Sequence, residues 1–257
     1  MTGLSDLHVH LLAGLDDGPR TWSDAIEMCR QLVSEGCAHS VALAHQSERW
    51  PLTPEQIRGA AAALAERLEA EGVPLRVVPS AEIMAVPELA LSWSAGRYLS
   101  VADRGKYLLV EMPNQVFVDL RRVVSDLACV GMRVILAHPE RHQEFLHDAG
   151  RIEELIELGC LVQTSSASVT DPRCSADGKA IRDWFKRGCV HLLGSDGHSP
   201  RSRRPQLAAA ADRIRRWVGT AEAERICATN GQKILDGGVI HALPPAPKRS
   251  WWALLGR

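Results

Sequence analysis

This sequence predicts an α/β fold in which seven parallel strands form a single distorted barrel, closed or nearly closed, and three observations carry the prediction. Seven short β-rich runs alternate with helical stretches along the 257 residues. Several runs are almost continuously apolar, as strands buried on both faces are. Nearly every run also ends in a histidine or an acid, and a parallel barrel brings all its strand ends to one rim.

In chain order, the first run is SDLHVH at 5–10. The helix that follows, TWSDAIEMCRQLVSEG, places Ile26, Cys29 and Val33 on one face and stops at Gly36. HSVALAH at 39–45 comes next, then TPEQIRGAAAALAERLEAEG, in which Thr53 caps, Pro54 takes the first turn and Gly72 terminates. The remaining strands are LRVVPSAE at 75–82, YLLVE at 107–111, RVILAH at 133–138, CLVQTS at 160–165 and CVHLLGSD at 189–196. Helices are expected at 119–130, 151–158, 177–187, 205–218 and 220–230, with Gly131, Gly159 and Gly188 each standing just before the next strand. An open doubly wound sheet is the competing topology, but it wants a Gly-rich phosphate loop after its first strand, and none is present. Seven β/α units thus read as one TIM-like domain over residues 1–240, and 241–257 as a Pro-rich linker with an aromatic-basic tail.

Apolar residues make up 46% of the chain and charged residues 24%, a composition that supports one substantial core. A net charge of -1 gives no reason to expect a nucleic-acid partner, which needs a strongly basic face. The seven cysteines are odd in number, scattered and without a Cys-x-x-Cys pair, against both a disulfide framework and a thiolate zinc site. With no apolar run of membrane-spanning length and no leader pattern, the expected location is the cytoplasm.

The chemistry lies in the strand ends. His8 and His10 close the first run, His45 the second, Glu82 the third, Glu111 the fourth, His138 the fifth, and Asp196 and His198 the seventh, while Asp17 joins from the loop after the first. Only the sixth run lacks an obvious ligand. His-x-His on a strand turns both rings to one face because the side-chain period is two. Imidazoles and carboxylates without thiolates suit divalent ions such as Mn, Fe or Zn. So many ligands are too many for one ion and suit two or three, a glutamate being able to bridge two. Any one of these residues alone is most often merely packed or solvated, but burying the whole set without a cation would be strongly unfavourable. Arg141, just past His138, can fork two donors to a phosphate, and Arg201, Arg203 and Arg204 form a second basic segment after His198. A cysteine-based phosphatase would need an arginine six positions after its nucleophile. The residues found there are Glu35, Leu43, Ile135, Ser166, Ala180, Ser195 and Lys233, so that mechanism is excluded.

DLHVH, GLDDG, HPER and GSDGH, in this order, resemble the polymerase-and-histidinol-phosphatase (PHP) superfamily of metal-dependent phosphoesterases. GLDDGPRTWSDAIEMCRQLVSEG, LVEMP and AHPER resemble one branch more closely, the bacterial capsule-type (CpsB/CapC-like) manganese-dependent protein-tyrosine phosphatases. The resemblance spans residues 5 to 235 and implies a PHP-type barrel holding three ions, Mn2+ foremost, with Fe, Zn or Mg as other candidates. It assigns His8, His10, Glu82 and Asp196 to one ion. Glu82, as a bridge, with Glu111 and His138 would hold the second, and Asp17, His45 and His198 the third. The second aspartate of DDG matches the ligand, which leaves Asp16 a supporting or turn role. Arg203 aligns best with the second phosphate-binding arginine, with Arg201 and Arg204 as competitors. Gln46 replaces a histidine common in the family, which puts a substrate role there in question. Gly197 replaces a common alanine, an exchange expected to matter little.

The implied activity is hydrolysis of phosphotyrosine monoesters on a bacterial tyrosine kinase that controls capsular or exopolysaccharide synthesis. The phosphate dianion would be held by the ions, Arg141 and Arg203, and attacked in line by a metal-activated hydroxide, with no phosphoenzyme. Histidinol-phosphate phosphatase, or another PHP phosphoesterase, is the alternative. A silent binding module is a third reading, and the complete ligand set speaks against it. The tail, with Trp251, Trp252 and Leu254 beside Lys248 and Arg249, reads as a loose terminus or as a contact with a membrane surface or a neighbouring subunit.

Overall fold

The computed structural model describes residues 3–113 and 116–246. Strands and helices alternate along it: β1 (Leu4–Asp6), α1 (Trp22–Ser34), β2 (Cys37–Gln46), α2 (Pro54–Ala70), β3 (Arg76–Met84), α3 (Leu89–Ser94), β4 (Tyr107–Glu111), α4 (Arg121–Cys129), β5 (Arg133–Ala137), α5 (Gln143–His147) and α6 (Gly150–Glu157). Then follow β6 (Leu161–Ser165), α7 (Ser166–Thr170), α8 (Ser175–Arg187), β7 (Leu192–Gly194), α9 (Ala208–Val218), α10 (Thr220–Glu224) and α11 (Asn230–Leu235), the last two joined by a π-helical turn at Arg225–Thr229. The strands form one parallel sheet in sequence order from β1 to β7. Every residue of β4 and β6 is buried, as the apolar runs require of strands covered on both faces. Among the described residues, no helix is long and apolar enough to cross a membrane.

Local chemistry sets the helix ends as the sequence implies. Thr21 caps α1 by accepting the Asp24 N–H. Thr53 and Gln56 form a reciprocal capping box on α2, with Pro54 in its first turn. On α1 the buried face is Ala25, Ile26, Met28, Cys29 and Leu32, so Val33 sits at its margin rather than on it. The expected helix at 220–230 runs on to Leu235. Gly231 does not stop it, because it serves packing: a Cβ there would lie 2.7 Å from Leu7 Cδ1 and from Ser5 Cβ, so only glycine lets this helix lie against β1.

The two edges of the sheet meet differently from the expectation of two long terminal strands. β1 ends at Asp6 rather than at His10, and β7 covers Leu192–Gly194 rather than 189–196. Side chains take over the missing ladder bonds. Asp6 Oδ1 accepts the backbone N–H groups of both His8 and Ser195 at 3.0 Å, and His191 Nδ1 accepts the Val162 N–H at 3.1 Å. Beyond β1 the chain still wedges between its neighbours. His10 N–H donates to Gly197 O at 2.9 Å, Asp196 N–H to His8 O at 2.7 Å and Leu43 N–H to Val9 O at 3.3 Å. The barrel is closed by these single bridges. At the opposite end the Tyr107 hydroxyl accepts from Ile240 N–H at 2.9 Å and donates to Ile240 O at 3.0 Å. Ala246 and Arg187 exchange two further bonds. The aromatic-basic residues of the tail lie outside the described residues.

Gly197 is one of the closing residues, and its exchange for alanine is not neutral. An added Cβ would meet Pro205 Cβ at 2.8 Å and Cα at 2.9 Å, and a ring fused to its own backbone cannot swing aside. Gly197→Ala is therefore expected to lower the unfolding free energy by about 1–3 kcal/mol in urea titrations. His191 supplies a pH dependence. Burial pushes its pKa down to about 4, so between there and its ordinary value near 6.5 the unfolded chain binds the extra proton. Its stabilisation is present above about pH 6.5 and lost as pH falls toward 4, by up to about 1.4 kcal/mol per pH unit. Unfolding measured across that window should show a shallower slope for His191→Asn, whose amide oxygen can replace the Nδ1 acceptor.

Candidate metal centre

Glu82, on β3 and 1% exposed, lies at the middle of the rim formed by the strand ends. His138 Nε2 stands 2.9 Å from its Oε1. His8 Nε2, His10 Nε2 and His45 Nδ1 crowd its Oε2 at 3.1, 3.2 and 3.4 Å. Those three nitrogens are buried, yet none is aligned to hydrogen-bond anything. Imidazole nitrogens converging on one carboxylate oxygen without bonding to it form the donor set of a cation site. Three overlapping groups could hold ions: His8, His10 and Glu82; His45, Glu82 and Glu111; and His10, Asp17, His45 and His198. The donors fit the divalent metals the sequence pattern implies.

Neighbouring groups aim the rings. Asp16 Oδ2 pairs with His10 Nδ1 at 2.7 Å and accepts the His45 N–H at 2.9 Å, while its Oδ1 accepts the Gly18 N–H at 2.9 Å. Asp16 thus turns His10 so that Nε2 faces Glu82. Gln163 Oε1 does the same for His8, meeting Nδ1 at 3.0 Å. The His198 Nδ1 faces Asp196 O at 3.0 Å, and its Nε2 lies 3.5 Å from Asp17. The His45 ring stacks on Trp50 at 4.7 Å and 11°. His138 and Asp196 occupy left-handed backbone conformations, with φ of 33° and 53°. Such strain in non-glycine residues costs energy and gathers at functional sites. In both, the turn out of the strand carries the side chain onto the rim.

All nine residues expected from the sequence lie around this rim. Glu111 Oε1 is 3.1 Å from His45 Nδ1, and His138 faces the other oxygen of Glu82. Asp196 lies 3.4 Å from His8 Nε2 and is met by both Arg141 and Arg203, the latter at 2.8 Å. Of the competing arginines, Arg203 bonds to Asp196, whereas among the described residues the side chains of Arg201 and Arg204 make no hydrogen bond or ion pair with the centre. Gln46, on the opposite face of β2 from His45, is buried and fully occupied by Leu52 O, Arg97 O and the Leu99 N–H. It braces loops and has no place in the site.

Other residues escaped the sequence reading. β6, the strand without a ligand, contributes Gln163, whose signal is an amide directly after the apolar pair Leu161 and Val162. Glu140, inside HPER, accepts both the N–H and the hydroxyl of Ser165 at 2.8 Å, and Arg173 donates to the Glu140 and Arg141 carbonyls at 3.0 and 3.3 Å. Together they hold the loop that carries Arg141.

Charge and burial compete throughout. Burial opposes the Glu82 charge, yet His8, His10 and His138 hold its pKa well below the carboxylate range. Hydrogen bonds from His198 and His45 lower that of Asp17. For His45, burial is outweighed by Asp17 and Glu111 and the pKa rises to about 10, whereas burial and the nearby His10 push His198 down to about 3. The carboxylates of Glu82 and Asp17 are therefore ionised at neutral pH. The thiols are not comparable: burial lifts Cys29, Cys160, Cys189 and Cys227 to about 12, which leaves them protonated and unreactive.

Comparison with known proteins agrees with this geometry. The family model described as "Capsular polysaccharide synthesis, CpsB/CapC" matches residues 4–236. The tyrosine-protein phosphatase YwqE of Bacillus subtilis is 29% identical over 248 residues, covering 94% of this chain and 95% of that protein. CpsB of Streptococcus pneumoniae, also a tyrosine-protein phosphatase, is 25% identical, covering 91% and 99%. A crystal structure from the pair YwqE of B. subtilis and CpsB of S. pneumoniae, described as unique metal-dependent tyrosine phosphatases, superposes with a TM-score of 0.88 at 28% identity, over 96% of this chain and all of that one. A D-hydantoinase matches at a TM-score of 0.53 and 13% identity, over 93% of this chain and 73% of that one, a likeness of fold alone. With its family match running from the first strand to the last helix, the chain belongs to the CpsB/CapC family of capsular polysaccharide synthesis proteins.

Proposed function

We propose that this chain is a metal-dependent protein-tyrosine phosphatase, its catalytic barrel within residues 1–240, with the Pro-rich linker and tail at 241–257 following it in sequence. The observation that carries the reading is the crowding of three unpartnered imidazole nitrogens on one oxygen of Glu82, beside two arginines that meet at Asp196. The names of its relatives favour this over histidinol phosphate as substrate. His8, His10, Asp17, His45, Glu82, Glu111, His138, Asp196 and His198 would hold three ions, with Mn2+ our choice among them on family resemblance. Such ions, when bound, supply Lewis acidity that neutralises a phosphate dianion and activates water toward it.

The chain's own residues do the rest. Arg141 and Arg203 take the non-bridging phosphate oxygens and stabilise the charge that spreads over them in the transition state. Asp16 and Gln163 keep His10 and His8 from rotating. Glu140, Ser165 and Arg173 hold Arg141 at the rim. Tyrosine phenolate is a good enough leaving group that a dedicated acid is unnecessary, which is consistent with Gln46 being turned away. The substrate is a phosphotyrosine protein, and family resemblance makes a bacterial tyrosine kinase of polysaccharide export the partner. Unpaired cysteines throughout the described residues support a cytoplasmic location.

Chelator-stripped protein is expected to release no phosphate from a phosphotyrosine peptide until Mn2+ is restored, and to leave histidinol phosphate untouched; the reverse preference would overturn the reading. Arg141→Ala should lower kcat by about 100- to 1,000-fold, and His8→Ala should abolish metal-restored turnover. Asp16→Asn, which leaves every proposed ligand in place, should weaken Mn2+ affinity by about 10- to 100-fold in calorimetric titration.

A further inference from the structure

Next to the metal centre, the loop after β1 faces the loop after β7 across a cleft of about 330 Å³. Asp17, His198 and Arg203 line it from the centre, together with Arg20, Arg201 and Asp24. The charges are unevenly matched. Arg203 faces Asp196 at 2.8 Å, and Asp17 faces His45 and His198 at 3.5 Å each. Asp24 belongs to the cap of α1, where its Oδ2 accepts the Thr21 hydroxyl at 2.8 Å. The guanidinium groups of Arg20 and Arg201 have no acidic partner among the described residues, which leaves a surplus of positive charge beside the reacting position.

Both arginines stand on backbone that is already held. Ser199 Oγ accepts the N–H groups of Arg201 and Ser202 at 3.2 and 3.3 Å, and the His198 N–H donates to Arg203 O at 2.8 Å. Gln31, on α1, donates to Pro200 O at 3.0 Å and ties the same loop to the body. On the other wall, the Gly14 N–H donates to Pro19 O at 2.9 Å, one residue before Arg20. An anion entering the cleft would have no loop to order, so little entropy opposes its binding.

We propose that Arg20 and Arg201 form an anion subsite that selects phosphotyrosine substrates bearing an acidic side chain, a carboxylate or a second phosphate, within a few residues of the phosphotyrosine. The inference rests on the phosphatase reading and adds its substrate class. The cleft borders the centre at Asp17, His198 and Arg203, so substrate polypeptide that leaves the centre on this side enters it. A neighbouring anion meets two unpaired guanidinium groups there, while a neighbouring lysine meets repulsion. The discrimination is electrostatic and part-exposed, so it acts on KM and is weakened by salt.

The test compares hydrolysis by the Mn2+-loaded full chain of phosphotyrosine peptides identical except for a neighbouring Glu, Gln, Lys or second phosphotyrosine. The Glu peptide is expected to exceed the Gln peptide in kcat/KM by roughly three- to tenfold, and the gap should close in about 0.5 M salt. A Glu advantage identifies a carboxylate as sufficient, and an advantage confined to the second phosphotyrosine identifies a dianion as required; either supports the subsite. Arg20→Glu combined with Arg201→Glu should invert the order in favour of Lys. Equal hydrolysis of all four peptides, or a preference that survives the charge reversal, would overturn the inference and leave the phosphatase reading intact. No hydrolysis of any peptide would overturn both.

Discussion

Burying the carboxylate of Glu82 at 1% exposure would be prohibitive in an apolar interior, because an ion removed from water must recover its solvation from its neighbours. At this rim it does so from imidazoles: His138 on one oxygen, His8, His10 and His45 on the other. Much of the surrounding architecture follows from that requirement. Three strand ends, those of β1, β2 and β5, must deliver four rings to one point on β3, so the strands must be parallel and in register, and the edges must close far enough for His8 and His10 to reach β3. Of these residues, His45 is the direct register partner of Glu82 across β2 and β3.

The barrel meets the requirement by giving up regular structure where the site needs reach. β1 and β7 are three residues each, and the bonds that longer strands would have made pass to the side chains of Asp6 and His191. Left-handed residues at His138 and Asp196 end their strands abruptly and turn side chains onto the rim. The cost in ladder bonds and backbone strain is offset by a core running through β4 and β6, which are buried on both faces. Polar groups that look incidental in the sequence, such as Gln163 and Glu140, hold the reactive side chains in place.

Fold and function separate cleanly in this molecule. The likeness to a hydantoinase shows how widely such a barrel is shared and says nothing about the chemistry. What distinguishes this rim is its own side chains: imidazole nitrogens without a hydrogen-bond partner around Glu82, and two arginines that meet at Asp196. Around the rim, Arg20 and Arg201 stand on two loops outside the cluster on Glu82, where a side chain can change without touching that cluster.

Periodicity and strand-end chemistry by themselves determined the seven parallel units, the helix cap at Thr53 and the set of residues at the rim. Each of those follows from local rules: apolar runs, capping side chains and the two-residue period that turns His8 and His10 to one face. What only the tertiary structure decided was partnership. The placement of His45 with Glu111 depends on the register of three strands, and the role of Gln163 on how β6 meets β1. That Arg203 rather than Arg201 or Arg204 reaches Asp196 depends on the turn after His198. Gly197 cannot tolerate a methyl group because Pro205, eight residues later, lies against it. No local rule reports such distances, since they are set by how the chain closes on itself.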